Sequence, residues 1–298
     1  MTRSLRIITA AAIVSVGLAS CESPTGQSAQ QQPPVKSQLD SAENARRMEL
    51  QKIFFSIPSP VEMASLIKEK GYRFDANMLN STDNVTKYTG EVKQAVNLGI
   101  YGADLSYAAI FDEKQVTMNY FAGAQKLASN LGIENVLTGE LIESLERNQE
   151  SRDSLLNIVS DAYADLNGYL KENDRAEISA LVVAGGWIEA LYLSTIYAKD
   201  SNPDLIKRIA EQKYALTNLL DYMDKFGDVE SLREMKKDLQ ALKEIYNKSE
   251  ENKGKTTQSK DESGVVLIGT STTITISDET LKAIETYVSE LRNKYTSL

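Results

Sequence analysis

Ile178 to Ala198 reads ISALVVAGGWIEALYLSTIYA, 21 residues with a single charge, Glu189. Length alone would let this run span a bilayer, which needs about 20 apolar residues. Glu189 near its middle argues against that, because an ionisable group deep in lipid is expensive. A run apolar on every side is instead expected to be a helix buried on most sides at the centre of a soluble body. Gly185 and Gly186, lacking side chains, would let a neighbouring helix approach closely there.

The flanking sequence is helical in both directions. Apolar positions recur at helical spacing over about 59–71, 85–111, 113–131, 138–149, 152–171, 174–199, 203–225 and 228–249. A first helix is expected from about residue 40, where Asp40 and Glu43 have capping-box spacing, to the Ile57-Pro58 boundary. Ser59-Pro60-Val61-Glu62 predicts a new start with Ser at the N-cap, Pro at N1 and Glu at N3. Gly71, Gly132 and Gly227 read as stops, 72–83 as a loop, and Asn202-Pro203 as a sharp boundary. Residues 248–263 are charged and polar with no large hydrophobe, which predicts a linker or exposed loop over about 251–263. Over 264–298, Val265 to Ile268 and Thr272 to Ile276 read as two strands around a turn at Gly269-Thr270-Ser271. Ser277 then caps a last helix whose first turn carries Asp278 and Glu279. The expected fold is all-α: a multi-helix bundle or an irregular helical-hairpin solenoid over 40–250, with a small C-terminal β-ribbon.

The N-terminus has a different character. Arg3 and Arg6 precede an uncharged run of 12 residues, Ile7 to Leu18, too short to span a bilayer. Leu18-Ala19-Ser20-Cys21 follows and resembles the lipobox of bacterial lipoproteins. That resemblance implies a signal peptide over 1–20, cleavage before Cys21, and acylation of Cys21 with palmitate-type chains. Cys21 is the only cysteine of the chain. The mature chain would carry 31 basic and 42 acidic residues, a net charge of −11. Two or more acyl chains anchor stably where one binds marginally. Residues 21–39 would then be the lipidated cysteine and a polar tether; as a coil, the 17 residues of 22–38 span roughly 20–25 Å. Glu22 after the cysteine, where Asp would favour the inner membrane, leaves sorting to the outer membrane open. It stands alone rather than in an acidic cluster, which points to the periplasmic face.

Composition excludes much chemistry. There is no histidine, so Ser-His-Asp and Cys-His catalysis and histidine-ligated metals are ruled out. One cysteine permits neither an intrachain disulfide nor a cysteine metal cluster. No Gly-rich nucleotide loop or calcium-loop spacing appears; no cofactor and no metal are expected. An acidic chain does not favour nucleic acid, whose binding rests on neutralised phosphates.

Two acids in apolar surroundings remain as candidates. Glu189 shares a helix face with Tyr192, next to Trp187; Asp104 lies between Tyr101 and Tyr107, one turn to either side. A buried acid has a raised pKa unless a cation or hydrogen bond favours its charged form, so both need partners, and the tyrosine hydroxyls are the expected ones. Asp104, Glu189, Tyr101, Tyr107, Tyr192 and Trp187 therefore form a candidate ligand-binding set. Structurally they would be satisfied buried groups that fix helix register; functionally they would line a pocket or act as a carboxylate pair. Ser41, in Asp40-Ser41-Ala42, is a candidate because the string resembles an O-glycosylation site of exported Bacteroidota proteins; helix capping by Asp40 or Ser41 is the favoured reading.

Three strings carry a broader resemblance: Phe55-Ser56-Ile57-Pro58-Ser59-Pro60, Asn97-Leu98-Gly99-Ile100-Tyr101-Gly102-Ala103-Asp104-Leu105-Ser106-Tyr107, and Ala184-Gly185-Gly186-Trp187-Ile188-Glu189. They resemble a family of helical lipoproteins of Bacteroidota over most of residues 50–298. The resemblance implies fold and location and adds nothing to mechanism. The expectation is a non-enzymatic envelope lipoprotein, held on the membrane by its lipid, with a protein or cell-wall partner. The alternative is a helical ligand-binding protein or carboxylate-dependent hydrolase with its pocket between the Asp104 and Glu189 helices.

Overall fold

The computed structural model describes residues 56–57, 59–133, 135–148, 151–198, 202–260 and 266–297. Cys21, Ser41, the tether and the helix expected over 40–57 lie outside the described residues.

Nine α-helices occur among the described residues. They are α1 (Pro60–Glu69), α2 (Glu91–Ile110), α3 (Lys114–Asn130), α4 (Gly139–Arg147), α5 (Arg152–Glu172), α6 (Ala176–Ala198), α7 (Pro203–Asp224), α8 (Glu230–Tyr246) and α9 (Asp278–Thr296). Between α8 and α9 stand the strands β1 (Glu250–Lys260) and β2 (Val266–Thr275). The architecture is an all-α bundle with a small ribbon.

Its centre is the pair α2 and α6. α6 is the expected apolar run, and 94% of its most apolar window is buried inside the protein. The two helices run parallel. Arg175, just before α6, pairs with Glu91 at the start of α2 at 2.6 Å, while Tyr197 near the end of α6 meets Tyr107 near the end of α2 at 2.5 Å. Glycines set their separation. A Cβ placed on Gly99 would stand 1.9 Å from the Val182 carbonyl oxygen, and one on Gly185 would stand 2.0 Å from that of Val96. Each glycine thus lies against the backbone of the opposite helix. α1, α3, α7 and α9 pack around this pair, α5 covers α6 from another side, and α4 packs on α3 and α5.

The helix boundaries follow local chemistry. Gly71 and Gly132 adopt positive φ (83° and 69°) where helices α1 and α3 stop. Asn202 is the N-cap of α7, its side-chain oxygen accepting from the backbone N–H of Asp204 and Leu205 at 3.1 and 3.3 Å. Asn202→Ala should therefore cost about 1 kcal/mol, read as a lowered urea midpoint with unchanged slope. Ser277 caps α9 as expected, accepting from the Thr280 N–H at 3.2 Å. Ser59 occupies the N-cap of α1 with Pro60 behind it, but its hydroxyl makes no cap bond. Glu62, expected to reach back to the cap, stands 3.8 Å from Arg208 of α7 instead. The central helix expected from about Val85 begins at Glu91, after Gly90; Thr82–Asn84 and Ala76–Met78 form short 3₁₀ turns in the preceding loop.

The ribbon departs from the sequence reading. The polar segment expected as a linker forms β1, paired antiparallel with β2 from Glu250↔Thr275 to Lys260↔Val266, with an irregularity between Lys253 and Thr256. Gly269-Thr270-Ser271, expected as the turn, lies inside β2. Backbone hydrogen bonds make the ladder, so strand pairing of itself needs no apolar side chains. The alternation at Thr273-Ile274-Thr275 is as expected: Ile274 is buried and Thr273 exposed. β2 packs on α7, and Lys213 of α7 pairs with Glu251 at 2.6 Å.

Candidate functional site

Asp104 on α2 and Glu189 on α6 are both fully buried, and the close packing at Gly99 and Gly185 brings them together. Their carboxyl groups lie within hydrogen-bonding reach of each other. The cation that balances them is Arg292, on α9. Its Nε donates to Glu189 Oε2 at 2.8 Å and its Nη2 to Glu189 Oε1 at 2.9 Å, a bidentate pair. Nη2 also donates to the Met78 carbonyl at 3.2 Å. The guanidinium sits 4.4 Å from the centroid of the Tyr192 ring, a favourable cation–π placement.

Asn80, from the loop between the two 3₁₀ turns, organises the other side. Its N–H donates to Asp104 Oδ2 at 3.1 Å, and its carbonyl accepts from Tyr120 at 2.9 Å. Its amide nitrogen donates to Tyr88 Oη at 2.9 Å and Asn97 Oδ1 at 3.2 Å. Asn97 in turn donates to the carbonyl of Tyr295 at 2.9 Å, satisfying a group at the C-terminal end of α9. A loop, α2 and α9 are thereby tied together through buried amides.

One atom of this cluster has no conventional partner, Asp104 Oδ1, and the nearby acid is Glu189. Burial, then the neighbouring Glu189 charge, raises the Asp104 pKa well above the usual carboxylate range; Arg292 and the Asn80 N–H act against this. A protonated Asp104 resolves the orphan atom, because its O–H then donates to Glu189. Burial works against the charge of Arg292, but Glu189 more than offsets that and its pKa lies above the ordinary value. The resulting unit holds one cation, one carboxylate and one neutral acid, with no net charge to bury.

The structure reassigns the other candidates. Tyr101 donates to the Ser81 carbonyl at 2.8 Å, and Tyr107 shares a hydrogen bond with Tyr197, so neither hydroxyl serves Asp104 as the sequence predicts. Tyr192 offers its ring face to Arg292, where a hydroxyl contact to Glu189 was expected. Trp187 is buried and donates from Nε1 to Gln212 Oε1 at 2.9 Å. Only Tyr192 of these four touches the charged unit. Arg292 is the residue sequence reasoning misses: it lies 103 positions from its partner, on an ordinary amphipathic helix. Ser154, which follows Asp153 as Ser41 follows Asp40, lies in α5 and accepts from the Ser151 hydroxyl at 2.8 Å. Among the described residues no group of three or more metal-ligating side chains occurs.

The pocket expected between the Asp104 and Glu189 helices is closed by the glycine contact. Open space lies instead beside α2. A cavity of about 80 Å³ is lined by α2, α3, α4, α5, Val182 of α6 and the loop at Ile133, and it adjoins a broader surface groove of about 690 Å³ between α4 and α5. Neither Asp104 nor Glu189 lines either space. Comparison with protein-family models, curated proteins and solved structures finds no match to this chain.

Proposed function

We propose that this protein is a lipid-anchored lipoprotein of the bacterial cell envelope, similar to the helical lipoproteins of Bacteroidota, and that its helical body binds a partner rather than catalysing a reaction. The observation that carries this reading is Leu18-Ala19-Ser20-Cys21. It combines a lipobox-like string, a preceding apolar run too short to span, and the single thiol of the chain. The packing of α6 supports it, since the one described helix apolar enough to cross a membrane is buried inside the protein. In this reading acyl chains on Cys21 hold the body at the outer membrane, facing the periplasm, next to an envelope-protein or cell-wall partner. The hydrolase alternative loses its support, because a carboxylate pair must reach substrate and solvent, whereas Asp104 and Glu189 are fully buried and tied to Arg292 and Asn80.

Cys21→Ala should abolish membrane fractionation of the protein in its native cell while leaving its helical spectrum unchanged. Intact-mass analysis of the wild-type protein should show acyl chains on the residue at position 21. A mutant that still pellets with membranes, or a wild-type N-terminus without an acyl adduct, overturns the proposal.

A further inference from the structure

The cavity beside α2 has an unusual floor. Gly102 sits in the interior of α2, where glycine costs about 0.5–1 kcal/mol relative to alanine. It is only partly buried although Tyr101 and Ala103 on either side are buried, and it lines the cavity. The walls are apolar, among them Leu105, Phe121, Ile133, Leu145 and Leu166. Ser106 supplies the one lining hydroxyl, and it already donates to the Gly102 carbonyl at 2.7 Å. A water held there would find almost none of the two to four polar partners it needs, and apolar voids of this kind take apolar guests.

The cavity and the groove share Val136, Leu141 and Ala162, so the two spaces adjoin at these side chains. The groove is of opposite character. Glu140, Asp161, Asp165 and Glu172 line it, and its described lining includes no lysine or arginine. Four acids around one depression produce a potential that concentrates cations and repels anions. An apolar slot adjoining an acidic groove suits a molecule with a hydrocarbon end and a positive end.

The geometry points to a binding site for a single-chain amphiphile with a cationic head: the end of the tail enters the cavity over Gly102, its remaining methylenes lie along Val136, Leu141 and Ile158 of the groove, and an ammonium group rests among Asp161, Asp165 and their neighbours. Tail burial supplies affinity, as each methylene withdrawn from water contributes about 0.8 kcal/mol. The acidic groove supplies selectivity for the head, since the same tail with a carboxylate would meet like charge. This site goes beyond the lipoprotein reading and does not depend on acylation of Cys21.

Isothermal titration of the full chain with decylammonium, decanol and decanoate, all below micelle-forming concentrations, tests it. Decylammonium should bind about tenfold more tightly than decanol, given about 1 kcal/mol or less from each exposed charge pair, and decanoate more weakly than decanol. The preference for the ammonium head should shrink in high salt. Gly102→Met fills the slot and should lower the affinity for decylammonium and decanol alike by more than about tenfold. Gly102→Ala, which removes less space and favours the helix, should lower both partially and serves if the larger substitution disturbs folding. Asp161→Asn with Asp165→Asn should weaken decylammonium about fivefold and leave decanol unchanged. Equal binding of decanoate and decylammonium, undiminished affinity in a folded Gly102 variant, or no binding of any of the three probes overturns the proposal.

Discussion

Gly99→Ala and Gly185→Ala should each destabilise the protein by more than about 3 kcal/mol, a large part of the roughly 5–15 kcal/mol that holds a typical domain folded. The cause is backbone against backbone. The added methyl on Gly99 would lie 1.9 Å from the Val182 oxygen and 2.7 Å from the Gly186 nitrogen, and that on Gly185 2.0 Å from the Val96 oxygen. No side-chain rotation relieves such a contact, so α2 and α6 would have to separate by roughly 1 Å in a core that packs at crystal-like density. Because Asp104 and Glu189 lie one turn or so beyond these glycines, separation would also loosen the buried charges. Gly168→Ala is the matched control. Gly168 lies in α5, and a Cβ there meets nothing within 4 Å. This substitution should stabilise by about 0.5–1 kcal/mol. Urea unfolding of the three variants gives the comparison; if Gly99→Ala unfolds at the wild-type midpoint, the close helix contact is not what organises the core.

The contrast between these glycines also marks what the sequence discloses. The apolar run around Gly185-Gly186 identifies a central helix and predicts a close neighbour, because periodicity and composition are local properties. It cannot say that the neighbour is α2, since that contact joins residues more than 80 positions apart. The caps at Asn202 and Ser277 are legible for the same local reason. Asp104 and Glu189 stand out as acids in apolar sequence, but their partners do not. The hydroxyls of Tyr101 and Tyr107 are already committed to a loop carbonyl and another tyrosine, Tyr192 meets Arg292 with its ring, and the balancing cation arrives on the last helix, where Arg292 reads as one more charge in Leu291-Arg292-Asn293-Lys294. The strand Glu250–Lys260 is hidden because ladder bonds belong to the backbone and leave no mark in polar side chains. The cavity over Gly102 is assembled from five helices and a loop, so no stretch of sequence announces it.

Asp104→Asn should raise stability at neutral pH and remove one component of its pH dependence. In the unfolded chain Asp104 titrates in the ordinary aspartate range. In the folded protein burial, then Glu189, holds its pKa well above that. Between the two pKa values the folded state binds one proton more than the unfolded state, so this residue's contribution is full at acid pH and is lost as pH rises through the folded pKa. The groups facing Asp104 are Glu189 on α6, Arg292 on α9, Tyr101 on its own helix and Tyr120 on α3. Burial pushes both tyrosines up, so they stay neutral throughout that window. An asparagine amide can donate to Glu189 as the carboxylic proton does, while its oxygen still accepts from the Asn80 N–H. Exposed acids such as Asp204 and Asp228, held low by Lys70 and Arg233, push stability the opposite way; they are common to both proteins and cancel in the difference. The wild-type minus Asp104→Asn stability, from urea titrations between pH 4 and 8, should therefore fall as pH rises. Arg292→Met supplies the complementary case. It leaves Glu189 buried without its cation and should cost about 3–5 kcal/mol at neutral pH. Adding Glu189→Gln should recover much of that loss, because a neutral amide requires no counter-charge. A difference curve that rises with pH would mean that Asp104 is ionised in the folded protein. The proton shared between α2 and α6 would then have to be abandoned.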